Sequence, residues 1–283
     1  MLDNMKRVCY IKPDVREQFG ASAGDLEFWL DAEVGRQLFR EKAGREIRVI
    51  DIAGQRFFLK RSGIESIVRS LPMVFFGLRP CSGALRELRM LRCLQESGFD
   101  VMEPVAWGEK SAGLTKHRGF LLVRNVDGVE AKEYLKTASL EERHLLLEKT
   151  GELTGRLHAA GFFQAIRLKD LIWSENRLVQ IDRETLHPWK TRFSRKRCID
   201  ALERGIRRTF REEHQLTLWD TRHFFKQYVR CISPRWNITP SALFRRVLVP
   251  VIKKHQKWLR IRQTGFSSNG NEDRISFRHE CSN

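Results

Sequence analysis

The six residues Arg56-Phe57-Phe58-Leu59-Lys60-Arg61 constrain this chain more than any other stretch. They alternate with a period of two, so as a strand they place Phe57 and Leu59 on one face and Phe58 and Lys60 on the other. A mid-strand lysine on a phenylalanine's face points into the fold, and its ammonium there requires an anion: a carboxylate, a phosphate or both. The strand has a partner before it. Ile47-Arg48-Val49-Ile50-Asp51-Ile52 alternates in the same way, and Ala53-Gly54-Gln55 turns the chain back between the two, which is the pattern of a β-hairpin.

A helix follows with a carboxylate inside it. Ser82 caps it, Leu85, Leu88, Leu91 and Leu94 recur at helical spacing, Ser97-Gly98 ends it, and Glu87 lies one turn in. Two further strands are predicted over Val101–Trp107 and Gly119–Arg124, before the turn Asn125-Val126-Asp127-Gly128. Residues 1 to about 45 are mixed, with a helix or extended arm around Leu26–Phe39. This order predicts an N-terminal lobe over residues 1–124, a small antiparallel sheet with one helix against it. Beyond the turn the chain becomes helical. Ser139 and Glu142 form a capping box that opens an amphipathic helix through Leu146, Leu153 and Leu157. A short buried strand, Leu178–Ile181, delivers Asp182 at its end. Helices are then predicted over Arg195–Phe210, Leu218–Cys231 and Ser241–Arg262, the last opened by Thr239-Pro240 and kinked at Pro250. The fold class is therefore α+β and two-lobed, with a mainly helical lobe over residues 125–263 and a Ser/Asn/Gly-rich tail over 264–283.

Charge distribution narrows the partners. The net charge is +17, and from Arg183 onward 23 Lys/Arg face 9 Asp/Glu, so 14 of the excess charges lie in the last third. Such a surface attracts polyanions: nucleic acid, or the anionic lipid of a cytoplasmic leaflet. The basic runs Arg195-Lys196-Arg197 and Arg204 to Arg211 are the features a nucleic-acid-binding scaffold would use, or else a solvated helix face. Six scattered cysteines without a Cys-x-x-Cys pair give no zinc or redox signature and read as free thiols in a reducing cytosol. The N-terminus lacks the apolar core of a signal peptide, and no segment has the run of about 20 apolar residues a membrane span needs. Membrane contact is therefore expected to be peripheral. The apolar stretch Ile64–Pro80, flanked by Arg61, Arg69 and Arg79, reads as a buried connector or as a patch that dips among lipid headgroups beside a basic rim.

Phosphoryl transfer needs positive charge on the phosphates, metal ions held by carboxylate or amide oxygens, and an aligned acceptor hydroxyl. Lys60 on a strand, Glu87 on a helix and Asp182 at a strand end occur in the order that chemistry uses. The residues carry a resemblance as well. Arg56–Arg61, Glu87-Leu88-Arg89-Met90-Leu91 through Gly98-Phe99, Val101–Glu109, Gly119–Val123, Leu157-His158-Ala159-Ala160-Gly161 and Ile181-Asp182 resemble the lipopolysaccharide core kinases. That group comprises heptose kinases, Kdo kinases and InaA-like proteins, and the likeness runs over roughly residues 40–190. It implies a protein-kinase-like fold and ATP- and magnesium-dependent phosphorylation of an inner-core sugar, heptose or Kdo, of the lipopolysaccharide glycolipid. That reaction lies at the cytoplasmic face of the inner membrane. It assigns the ATP phosphates to Lys60, the orientation of that lysine to Glu87, and a metal ion to Asp182.

The sequence departs from the family at one place. Where His-Arg-Asp supplies the catalytic base, an ungapped reading places Gln164-Ala165-Ile166. Asp170 lies where a second metal-binding side chain is expected. Three readings of Asp170 stand: a metal ligand with a displaced base, the base itself on a shortened loop with Lys169 or Arg167 stabilising phosphate charge, or part of a degenerate, inactive relative. His187-Pro188-Trp189 is a candidate wall of the acceptor cleft, and Phe58 either stacks near the nucleotide or fills its pocket.

Overall fold

The structure, a computed structural model, describes residues 6–41, 44–64, 73–75, 77, 79–112, 116–182, 190–212, 216–217 and 219–253. The expected tail over 264–283, the end of the last helix and the His187-Pro188-Trp189 loop lie outside the described residues.

The N-terminal half is built on a six-stranded antiparallel sheet. Its strands are β1 (Lys6–Ile11), β2 (Arg36–Arg40), β3 (Glu46–Ile52), β4 (Gln55–Ser62), β5 (Pro104–Ala112) and β6 (Lys116–Arg124), in the spatial order β1-β5-β6-β4-β3-β2. The β3–β4 hairpin forms as predicted, with Ala53 and Gly54 at positive φ in its turn. Alternation along β4 places its two faces in different cores. Phe57 and Leu59 are fully buried beneath the helices α1 (Pro13–Phe19) and α2 (Leu26–Asp31), where Trp29 stacks on Phe120. Phe58 and Lys60 face α3 (Gly83–Glu96), which carries Glu87.

Three parts of this lobe differ from the sequence expectation. Leu26–Phe39 divides into α2 and the exposed edge strand β2. The third predicted strand begins at Pro104, and Val101 instead makes an isolated parallel bridge to Gln180. Arg61 is buried, not part of a basic rim. It donates to Trp29 O at 2.7 Å and to Glu46 Oε2 at 3.1 Å, while Arg48 holds the other Glu46 oxygen at 2.6 Å. Burial is tolerable because the Glu46 carboxylate and backbone carbonyls satisfy both guanidinium groups. In the apolar connector after β4, Met73 is buried, whereas Val74 and Phe75 are 52% and 86% exposed and form surface.

α3 joins the halves. Its Leu88 and Leu91 pack on β6, and its Met90 and Leu94 enter the C-terminal core. That core is formed by α4 (Ala131–Thr137), α5 (Leu140–Ala159), a small sheet of β7 (Val129–Glu130), β8 (Leu171–Ser174) and β9 (Arg177–Gln180), and the helices α6 (Arg195–Glu212), α7 (Asp220–Ile232) and α8 (240–253). The Ser139/Glu142 capping box opens α5. α5 and α7 approach closely over Gly151 and Gly155, where a Cβ would meet Phe224 O at 2.2 Å and Tyr228 O at 2.8 Å. His158, at the end of α5, is fully buried with its Nδ1 2.8 Å from the Tyr228 hydroxyl. Burial pushes its pKa down to about 4, so it is a neutral structural imidazole at neutral pH. Among the described residues no helix is long and apolar enough to cross a membrane.

Candidate functional site

The cleft between the halves gathers the charged residues singled out above. β4 delivers Lys60 because its side chain alternates away from the α1/α2 layer. α3 delivers Glu87 because its leucine stripe fixes the helix's rotation. The N-terminus of α3 is also tied to the sheet. The Ser62 hydroxyl accepts Ala84 N–H at 3.2 Å, and the buried Glu109 carboxylate on β5 accepts Ser82 N–H at 2.5 Å. Those side-chain oxygens satisfy amides that an isolated helix would leave open. The Lys60 ammonium forms an ion pair with Glu87 Oε1, and the two side chains are only 13% and 4% exposed. It also donates to Ile181 O at 2.9 Å and lies 3.7 Å from Met102 Sδ. One ammonium thus joins the sheet, the helix and the strand end that carries Asp182.

Asp182 follows β9 directly. Its carboxylate is 41% exposed and sits 4.0 Å from the Arg45 guanidinium, on the turn between β2 and β3. It lies near enough to Glu87 for its charge to oppose ionisation of the Glu87 carboxyl. Burial raises the Glu87 pKa first, the Lys60 charge works against that rise, and the Asp182 charge adds to it. Asp170 ends a single 3-10 turn before β8, and its carbonyl accepts Ile181 N–H at 3.0 Å. Asp170 and Asp182 are therefore at the same open end of the β8–β9 hairpin. The Asp170 carboxylate is buried and held in a two-bond fork by Arg167, at 2.7 and 2.8 Å. The sequence offered Arg167 for phosphate charge; the structure pairs it with Asp170, three residues later.

The stretch Gln164-Ala165-Ile166 contributes no acid to the cleft. Gln164 and Ile166 line an apolar cavity of about 60 Å³ between α5, α6 and α7, together with Thr154, Leu202, Gly205 and Phe224. Phe58 is half-buried and packs on the cluster that holds Leu88, Met102, Leu121 and Val123, on the lysine's face of the strand. Arg45, which sequence reading did not single out, is a further charged residue that the fold brings beside Asp182.

The donor set suits magnesium bound together with a nucleotide. Among the described residues no group of three or more His, Cys, Asp or Glu could hold a metal alone. Magnesium bound with substrate phosphates uses one or two carboxylates and completes its shell with phosphate and water oxygens. The half-exposed carboxylate of Asp182, on the residue after the carbonyl that Lys60 binds, offers that arrangement.

Comparison with known proteins gives a consistent result. The profile described as the lipopolysaccharide kinase (Kdo/WaaP) family matches residues 33–228. The chain is 25% identical over 135 residues to lipopolysaccharide core heptose(I) kinase WaaP of Escherichia coli, across 44% of this chain and 49% of that protein. The matched region thus spans about half the length of that relative. Among solved structures, WaaP in complex with acyl carrier protein superposes with a TM-score of 0.62 at 16% identity, over 88% of this chain and 98% of that one. At that identity the likeness speaks to the fold, a kinase-like α+β architecture with an antiparallel N-terminal sheet and a mainly helical C-terminal part.

Proposed function

The chain belongs to the lipopolysaccharide kinase (Kdo/WaaP) family, and from that premise we propose that it transfers the γ-phosphoryl group of ATP to a sugar hydroxyl of the lipopolysaccharide inner core, heptose or Kdo. The observation that supports this reading most directly is the buried Lys60–Glu87 pair, with Lys60 also bonded to the carbonyl that precedes Asp182. In this reading Lys60 contacts the ATP phosphates and Glu87 fixes its position. Asp182 holds magnesium, and Asp170 is the second metal-binding side chain. Magnesium, when bound, neutralises charge on the phosphates. The chain's own residues position the nucleotide and exclude water from the lysine. The lobe boundary falls after Arg124, and the turn that follows is the hinge between the lobes.

The acceptor is the anionic core glycolipid, and we place the reaction at the cytoplasmic face of the inner membrane with the protein bound peripherally. The exposed Val74 and Phe75 and the exposed Arg195, Lys196, Arg204 and Arg208 of α6 support contact with anionic lipid. A thermal-shift titration tests the nucleotide site. Mg·ATP is expected to raise the unfolding midpoint of the wild type but not of Lys60→Ala or Asp182→Asn. If both variants shift as the wild type does, the site assignment is wrong.

A second reading has its own observation. The Arg167 fork on Asp170, with no acid at positions 164–166, suits a kinase-like protein that binds nucleotide without turning it over. Incubation with radiolabelled ATP and purified core oligosaccharide separates the two: label in the sugar supports the enzyme, whereas nucleotide binding without transfer supports the degenerate relative.

A further inference from the structure

The turn between β2 and β3 lies where a kinase places its glycine-rich phosphate loop, over the end of the lysine strand. Pairing fixes that location: Arg40 is opposite Glu46, and Glu46 is opposite Arg61, one residue past Lys60. The turn closes on itself through Glu41 N–H to Arg45 O at 2.8 Å and Gly44 N–H to Glu41 O at 3.0 Å. Gly44 has φ +79, and a Cβ there would come within 3.2 Å of Gly63 Cα, which seats the turn against the end of β4. Its sequence, Glu41-Lys42-Ala43-Gly44-Arg45, holds one glycine. It therefore lacks the repeated glycines of such a loop, and its Glu41 and Gly44 amides are already bonded within the turn. It offers a guanidinium instead, 4.0 Å from the Asp182 carboxylate, with both side chains about two-fifths exposed.

We propose that Arg45 is the phosphate-binding residue of this turn, pairing with Asp182 when the cleft holds no nucleotide and with the phosphates of a bound nucleoside triphosphate when it does. The proposal rests on the nucleotide-site reading above and adds to it the device that replaces a glycine-rich loop. An ion pair at 4.0 Å between half-exposed groups is worth under about 1 kcal/mol. A guanidinium fork on phosphate oxygens makes shorter, charge-assisted hydrogen bonds, roughly twice as strong as neutral ones. Giving up the Asp182 pair therefore costs little, and it frees the Asp182 carboxylate for a metal.

Calorimetric titration with Mg·ATP, Mg·ADP and adenosine tests this on wild type, Arg45→Ala and Arg45→Lys, with each protein's unfolding midpoint recorded without nucleotide. Arg45→Ala is expected to weaken ATP and ADP by about ten-fold or more, the scale of one charge-assisted hydrogen bond, and to leave adenosine unchanged. Arg45→Lys, which keeps the charge without the fork, is expected to fall between alanine and wild type. Unchanged ATP affinity in Arg45→Ala, or equal losses for ATP and adenosine, overturns the proposal while the kinase reading stands. A wild type that binds no Mg·ATP overturns both.

Discussion

Replacing Lys60 by methionine removes the cation from a carboxylate that has little access to water. The Glu87 side chain is 4% exposed and that of Lys60 13%, so the pair is internal to the fold. Removing one partner of a buried ion pair costs about 3–5 kcal/mol, because the remaining charge stays desolvated. At about 2–4 °C per kcal/mol for a chain of this size, the thermal midpoint should fall by roughly 10 °C. The loss is expected to depend on pH. Burial already raises the Glu87 pKa, and the Lys60 charge opposes the rise, so deleting Lys60 raises it further. A carboxyl whose folded pKa exceeds its unfolded value binds more protons folded than unfolded between the two. Stability therefore falls as pH rises through that interval. The Lys60→Met penalty should be small near the ordinary carboxylate value of about 4 and grow toward neutrality. In Lys60→Met/Glu87→Leu both charges are gone from a site bordered by Met102 and Ile181, and most of the stability should return. Mg·ATP binding should not return with it. Urea unfolding of the wild type, Lys60→Met, Glu87→Leu and the double variant over a pH series gives the coupling energy directly. A single-variant loss under about 1 kcal/mol at every pH, with additive losses in the double variant, would refute the reasoning.

Two other positions give separate tests. Gly151→Ala places a Cβ 2.2 Å from the Phe224 carbonyl, so α5 and α7 must separate. A loss of about 1–3 kcal/mol in urea unfolding, with ATP affinity retained, is expected. His158 has its folded pKa lowered to about 4 from 6.5 by burial. The unfolded chain binds more protons between those values, so stability should fall on acidification from about pH 6.5 and level off near pH 4. The drop is about 3 kcal/mol, and His158→Gln should flatten that slope in unfolding curves taken from pH 4 to 7.

What was legible in the sequence follows from what hydrophobic patterning encodes. Alternation assigns faces, so the opposite orientations of Phe57 and Lys60 could be read directly, as could the capping box at Ser139. Patterning does not assign partners. β1 pairs with β5 across most of the lobe's sequence, and β2 is an edge strand exposed along its whole length, so neither carried a burial signal. Buried arginine is hidden for a related reason. Arg48 and Arg61 read as surface by composition, and only the fold shows that Glu46 lies between them. The spacing of Arg167 and Asp170 was visible, but it becomes a contact only once the chain makes the 3-10 turn before β8.

Among the described residues, three of the acids that the sequence singled out are each held by a different cation: Glu87 by Lys60, Asp170 by Arg167 and Asp182 by Arg45. Exposure ranks the pairs. The acid side chains are 4%, 7% and 41% exposed, and the cations 13%, 24% and 38% in the same order. Water has already relaxed much of the charge on the most exposed pair, so exchanging its partner costs little. Opening the Asp170 fork would leave a buried carboxylate to be satisfied by something else, which a metal could do only after displacing two hydrogen bonds. On the proposed reading, then, the three acids cannot be equivalent. Glu87 positions the lysine, Asp182 is the carboxylate a first magnesium ion reaches, and occupancy at Asp170 requires the Arg167 fork to open. Magnesium dependence of nucleotide binding should therefore follow Asp182 more closely than Asp170. If Asp170→Asn abolished it and Asp182→Asn did not, the exposure argument would fail and Arg167 would have to be the more mobile of the two guanidinium groups.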